Sequence, residues 1–302
     1  MSPTQKTDPG AYAAELAGTV ADRYRIEAEI GRGAMARVYR ARDLRYGTEV
    51  AFKLLRREFA ESTTSKRFAR EIKIASTLEH PNILQVLDSG DILKIPYYVM
   101  PLVDGETLEA RLQREKRLGI ADAVHLAGEI AAALSYAHAH GVVHRDVKPS
   151  NILLSHGHAL VADFGIARVV DLVSDQLTDS GVTLGTAPYM SPEQGHTAAV
   201  DGRGDTYSLG IVLYEMLAGH PPFHGSSPER IIEQHATEPV PPLRTAREDV
   251  PFDIESAILR ALAKTPEERW ADPIDFKSAI DQVGEKQRPV SWWQSLRAKF
   301  AR

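Results

Sequence analysis

Gly31-Arg32-Gly33-Ala34-Met35-Ala36-Arg37-Val38 is a glycine-rich stretch between two runs of β-forming residues, not between a strand and a helix. Such glycines either shape a turn or let a phosphate approach the backbone, because a residue without Cβ leaves room for both. Val50-Ala51-Phe52-Lys53 follows on the next strand but one. A lysine inside an apolar strand needs an anionic partner unless it snorkels to water at a sheet edge. Farther along stand His144-Arg145-Asp146-Val147-Lys148-Pro149-Ser150-Asn151, the apolar Ile152-Leu153-Leu154, and then Asp163-Phe164-Gly165. Taken singly, each carboxylate here reads as a surface or capping residue. The chain has no cysteine, which excludes disulfides, thiolate metal sites and cysteine nucleophiles together. Any chemistry must use oxygen and nitrogen groups.

Taken together, these segments resemble the signatures of the protein kinase superfamily: the glycine spacing, the strand lysine, H-R-D-x-x-x-x-N and D-F-G. The resemblance continues through Gly185-Thr186-Ala187-Pro188-Tyr189-Met190-Ser191-Pro192-Glu193 and Asp205-Thr206-Tyr207-Ser208-Leu209-Gly210, and covers residues 24–283. The Ser-Pro-Glu-Gln form and the economy of insertions are most similar to the eukaryotic-like serine/threonine kinases of bacteria. The resemblance implies an α+β fold of two lobes, a small antiparallel β-sheet lobe with one main helix and a larger, mainly helical lobe. It also implies transfer of the γ-phosphoryl group of ATP, with Mg²⁺ or Mn²⁺, to Ser or Thr hydroxyls of protein substrates. A small-molecule phosphotransferase would share the ATP lobe but lack the Gly-Thr-x-x-Tyr-x-x-Pro-Glu segment. A pseudokinase scaffold is the stronger rival in principle, yet Lys53, Glu71, Asp146, Asn151 and Asp163 are all in place.

Carried over position by position, the resemblance gives each residue a role that its chemistry suits. Phosphoryl transfer spreads negative charge over oxygens, so catalysis is mostly positioning and the placement of cations. Lys53 grips the α- and β-phosphates, oriented by Glu71, while Gly31 and Gly33 admit the phosphates to the backbone. Asn151 and Asp163 supply the hard oxygen ligands that Mg²⁺ prefers. Asp146 orients or accepts the proton of the substrate hydroxyl, and Lys148 neutralises the γ-phosphoryl. The adenine lies between the apolar roof of Ile30, Val38 and Ala51 and the floor at Leu153, with Met100 at the back. In the hinge, Pro101 has only a carbonyl to offer, so Val103 is the backbone donor.

Two positions depart from the pattern, Ala36 for the third glycine and Ser191 for the alanine of A-P-E, and neither removes a catalytic group. Glu193 can pair with an arginine, for which Arg269 is the candidate. Thr186 is expected to bond Asp146 and Lys148. Lys148-Pro149-Ser150 matches kinases acting on serine and threonine. Serine at 150, where kinases selecting basic residues upstream of the target often carry glutamate, argues against strong selection of arginine-rich substrates. Arg145 is a fixed cation that a phosphorylated loop could recruit, with Thr178 and Ser180 as the autophosphorylated positions. That reaction implies self-association. His144 and Phe164 read as packing residues. The remaining histidines, His138 and His140 included, read as helix-surface residues without a metal-site arrangement.

These groups need a scaffold, and the pattern supplies one. Strand-like runs at 24–30, 37–41, 49–54, 83–88 and 97–100 predict a small sheet. Apolar spacing predicts helices over 66–78, 107–114, 120–140, 206–218, 229–236, 252–263 and 273–283. Residues 1–21 read as a tail with a short helix at 11–17, followed by the kinase domain at 22–285, divided into 22–102 and 103–285. The 302 residues carry 43% hydrophobic and 25% charged side chains, the profile of a folded soluble protein. No secretory signal or membrane-spanning run is evident, which implies the cytoplasm. A net charge of −5 offers no global attraction to nucleic acid. The tail 286–302 differs, with Lys286, Arg288, Arg297, Lys299 and Arg302, no acid, and Trp292, Trp293, Leu296 and Phe300 near helical spacing. It admits three readings: docking on the helical lobe, a linker to a further region, or peripheral contact with an anionic membrane.

Overall fold

The computed structural model describes residue 20 and residues 22–33, 36–57, 72–164, 186–195 and 201–286. The expected helix at 11–17, most of helix 66–78 with Glu71, the loop positions Thr178 and Ser180, and the tail from 287 lie outside them. The chain forms two compact units, one of residues 1–105 with 160–182 and the other of residues 106–159 with 183–302. The expected boundary at 102/103 thus sits three residues early. The segment from 160 goes with the first unit, where Val161 forms a parallel bridge with Ile83 and exchanges backbone hydrogen bonds with Asn82 and Leu84.

In the first unit, β1 (Tyr24–Arg32), β2 (Ala36–Asp43), β3 (Thr48–Leu55), β4 (Asp88–Ile92) and β5 (Ile95–Pro101) form an antiparallel sheet ordered β1-β2-β3-β5-β4. Strand alternation sends Tyr39, Ala41, Val50, Phe52 and Leu54 into a core with Tyr24 and Val99. Phe52 and Tyr97 stack there at 4.6 Å between centroids. Ile72, Ala75 and Leu78 are buried at the end of the helical stretch at 72–75, as their spacing predicts. The run 83–88 is a correction: Ile83 makes an isolated bridge, residues 84–87 are no strand, and Asp88 only begins the edge strand β4, a largely polar segment. Its register is set by a tight turn in which Leu93 and Lys94 take φ of 51° and 66°. A turn of that kind normally announces itself with Asn or Gly, and here it does not.

In the second unit β6 (Glu106–Thr107) and β7 (Ile152–Ser155) pair antiparallel, and β8 (His158–Val161) follows, its last two residues belonging to the first unit; helical periodicity did not foreshadow these strands. The helices are α1 (Leu108–Glu115), α2 (Ile120–Ala139), α3 (Gly202–Ala218), α4 (Pro228–Thr237), α5 (Leu243–Ala246), α6 (Phe252–Ala261) and α7 (Pro273–Lys286). Thr107 caps α1 by accepting from the Ala110 N–H at 3.1 Å, and Ser227 caps α4 the same way. Helix α3 starts four residues before the expected 206 because Asp201 accepts from the Arg203 N–H. It is buried almost all round, as befits a central helix. A Cβ at Gly210 would come within 3.0 Å of Ala261 and Leu262, so glycine lets the chain around α6 approach. Among the described residues no helix is long and apolar enough to cross a membrane.

Candidate functional site

In the first unit, pairing sets Gly31, Val38, Lys53 and Tyr98 in one row across β1, β2, β3 and β5. Ala51 and Met100 form the next row on the same face, two residues along. Val50 pairs with Pro101, and Val103 follows, half-buried, in the connection to the second unit. Ala51 is buried, Val38 half-buried and Ile30 exposed. The Gly33 N–H closes the β1–β2 turn on the Ala36 carbonyl at 2.9 Å. Neither Gly31 nor Gly33 has a left-handed φ, and a Cβ on either would meet its nearest neighbour at an ordinary 3.5 Å. The turn itself therefore does not require glycine there. Two bare backbone positions beside an exposed apolar residue suit a group that approaches from outside the chain.

Lys53 finds its anionic partner within this unit, so the snorkelling alternative falls away. Its Nζ lies 2.5 Å from Asp163 Oδ2, with the two side chains only 15% and 20% exposed. The Tyr98 hydroxyl donates to Oδ1 of the same carboxylate. Burial, then the Asp163 charge and this bond, push the Tyr98 phenol well above its ordinary value, so the hydroxyl stays protonated. Asp163 itself takes φ of 65°, a left-handed conformation that costs a non-glycine residue on the order of 1 kcal/mol.

The second unit holds the other half of the motif set. Asp205, in the first turn of α3 and 1% exposed, accepts the His144 N–H at 2.8 Å and the Arg145 N–H at 2.7 Å. His138 Nε2 meets it at 2.7 Å. Burial favours the neutral acid of Asp205, but the His138 bond and charge with the His144 backbone outweigh it and hold the carboxyl below its usual range. This carboxylate fixes the turn on which Arg145 takes φ of 67°, and Gln194 Nε2 bonds the Arg145 carbonyl at 2.7 Å. The sequence reading gave roles to none of Tyr98, Asp205, His138 and Gln194. An acid inside an otherwise apolar helix was the visible signal for Asp205. His138 is a correction: it is not a surface residue but 14% exposed and bonded to Asp205.

The fixed turn presents Asp146, whose Oδ2 takes Lys148 Nζ at 2.7 Å and Asn151 Nδ2 at 2.9 Å. Among the described residues no hydrogen-bond partner reaches its buried Oδ1. Asn151 Nδ2 also bonds the Asp146 carbonyl at 2.8 Å, so its two donations turn the amide oxygen away from Asp146. Lys148 also donates to Thr186 Oγ1 at 3.0 Å; Asp146 Oδ2 is held by Lys148 and Asn151. Leu153 lies half-buried on β7, opposite Thr107. Arg269, fully buried, grips both oxygens of Glu193 at 2.7 Å. Burial raises the Glu193 acid, yet the Arg269 bonds and charge prevail and hold it low.

One surface cluster corrects the reading of the remaining histidines. His125 and His158 gather around Glu129, with one ligand-capable atom from each within 4.8 Å of the others. Glu129 already accepts from the Ala159 N–H at 2.7 Å and meets His158 Nδ1 at 2.6 Å, so hydrogen bonds complete the arrangement.

Comparison with known proteins matches residues 24–282 to the protein kinase domain family. The chain is 40% identical over 277 residues to serine/threonine-protein kinase PknB of Mycolicibacterium smegmatis, a match covering 89% of this chain and 44% of that protein. Against serine/threonine-protein kinase PknB of Mycobacterium leprae the identity is 39%, with the same 89% and 44% covered. The chain thus spans less than half the length of these relatives.

Proposed function

The chain belongs to the protein kinase family, and on that premise we propose that it transfers the γ-phosphoryl group of ATP to serine and threonine hydroxyls of proteins. The observation that carries the proposal is Asp146. One of its oxygens is tied to Lys148 and Asn151, and the other is buried with no partner among the described residues. An unpaired buried carboxylate oxygen is costly unless something donates to it. A substrate hydroxyl donating there would be aligned for attack on the γ-phosphorus; as that bond forms, the bond from phosphorus to the β,γ-bridging oxygen would break, ADP would leave, and the hydroxyl proton would pass to Oδ1. Lys148, held beside the same carboxylate, places a positive charge near the negative charge that develops on the transferring phosphoryl oxygens. On the nucleotide side, Lys53 would exchange Asp163 for the α- and β-phosphates, and the bare backbone at Gly31 and Gly33 would admit them.

The donor set fits a divalent cation. Asp163 in the first unit offers a carboxylate and Asn151 in the second an amide oxygen, each a hard ligand of the kind that Mg²⁺ takes and Mn²⁺ accepts. Such an ion supplies neutralisation of phosphate charge. Arg145 and the hydroxyls of Thr178 and Ser180 extend the proposal to activation by autophosphorylation, since a phosphate brings up to about two negative charges to an arginine.

The test is incubation with γ-labelled ATP, Mg²⁺ and a protein acceptor, followed by mass-spectrometric mapping. Label is expected on serine and threonine of the acceptor, and on Thr178 or Ser180 of the chain. No transfer, or transfer to tyrosine alone, contradicts the activity; transfer to the acceptor with both loop positions bare contradicts the autophosphorylation.

A further inference from the structure

Tyr98 is 2% exposed and sits on β5 directly opposite Lys53 on β3. With Ile72, Ile83, Val86, Met100 and Phe164 it lines a small apolar recess. Packing alone would be served by leucine or phenylalanine at this position. The hydroxyl is what packing does not explain, since a buried O–H is favourable only where it meets an acceptor. It meets Asp163 Oδ1, across 65 residues of sequence.

The two oxygens of Asp163 are thereby divided. Oδ2 faces Lys53, a cation that would turn to phosphate when nucleotide binds, and Oδ1 faces a neutral hydroxyl on the interior strand β5. Lys53 can leave, because its long side chain has another anion to go to. Tyr98, 2% exposed on an interior strand, has no such alternative. When Lys53 leaves Oδ2, the Tyr98 hydroxyl still holds Oδ1 of this carboxylate on its left-handed backbone position. Held at Oδ1, the carboxylate presents Oδ2 in one orientation.

We propose that Tyr98 is a positioning residue for Asp163: its hydroxyl holds Oδ1 so that Oδ2, once Lys53 turns to the phosphates, faces the divalent cation. The inference rests on the kinase reading above and adds to it a residue that acts only through another. The bond to Oδ1 need not break for the ion to bind, because a carboxylate oxygen has two lone pairs and the ion takes the other oxygen.

The test separates the metal from the nucleotide. Binding of a fluorescent, non-hydrolysable ATP analogue by the full chain is titrated with and without Mg²⁺, for the parent, Tyr98→Phe and Tyr98→Leu. Without Mg²⁺ the three should bind alike. With it, both variants should need on the order of tenfold more Mg²⁺ for half-saturation, as expected for loss of one hydrogen bond to a charged group. Thermal midpoints of parent and Tyr98→Phe should agree within a few degrees, which shows that the fold is not what changed. An unaltered Mg²⁺ requirement in Tyr98→Phe overturns the inference, and so does a change confined to Tyr98→Leu, which would mark packing. A lowered requirement also overturns it, because the hydroxyl would then compete with the ion. A parent that binds no nucleotide overturns the kinase reading itself.

Discussion

Asp146 stands on a turn whose backbone N–H groups are held by Asp205, a carboxylate 1% exposed, whereas in the first unit Lys53 and Asp163 hold each other. The Asp146 carboxylate itself bonds Lys148 and Asn151, but the frame beneath it is held by groups with no proposed part in the chemistry: Asp205 to His138, Gln194 to the Arg145 carbonyl, Arg269 to Glu193. Around Asp163 the bonds of its carboxylate run to Lys53, itself reactive, and to Tyr98. The difference teaches which groups must stay and which must exchange. A base that receives a hydroxyl works from a fixed position, so its frame is buried and separate. On the proposed function, a lysine and a carboxylate that serve a nucleotide and an ion must give up each other, and their mutual bond would be one that ligand replaces.

The comparison is most exposed to removal of one member from each unit. Asp205→Ala leaves two backbone N–H groups and His138 unpaired in the interior, which should cost about 3–5 kcal/mol. Lys53→Met removes half of a partly accessible pair whose carboxylate keeps Tyr98, and should cost about 1 kcal/mol or less. Urea unfolding monitored by far-UV circular dichroism, which reads the strands of the first unit and the helices of the second, measures both. Equal losses would mean that the first unit's pair is as structural as the second unit's frame, and the contrast would be gone.

A smaller effect tests the same contrast through pH. Burial, aided by the charge of Lys264, holds His235 down to about 4 from its ordinary 6.5, and its ring bonds the Tyr207 hydroxyl at 2.8 Å inside the second unit. The unfolded chain therefore binds more protons than the native one between about pH 6.5 and 4. Stability contributed by neutral His235 is intact above that window and lost as pH falls through it, to a ceiling of about 3 kcal/mol. Thermal midpoints of the parent should drop more steeply from pH 7 to 4.5 than those of His235→Gln. Parallel slopes would place the acid sensitivity elsewhere.

Legibility followed distance along the chain. Asp146, Lys148 and Asn151 are neighbours in sequence, and their mutual bonds close within one turn, so their pattern carried them. The Glu193–Arg269 pair spans 76 residues, yet it was anticipated because an acid in that motif calls for a buried arginine. Tyr98 was not, because a tyrosine in an apolar strand reads as core and only the fold brings its hydroxyl to Asp163. Strand β4 was displaced for a local reason: its turn is made by Leu93 and Lys94, residues that carry no turn signal. Strands β7 and β8 are four residues each, too short to show a period beside the long helices around them.

The most direct test of the division between the units measures binding and transfer side by side in Asp146→Asn and Asp163→Asn. Asp146→Asn should bind Mg²⁺ and nucleotide as the parent does while transfer falls at least about a hundredfold. Asp163→Asn should lose the Mg²⁺ dependence of nucleotide binding together with transfer. Loss of nucleotide binding in Asp146→Asn, or substantial transfer by Asp163→Asn, would contradict the account.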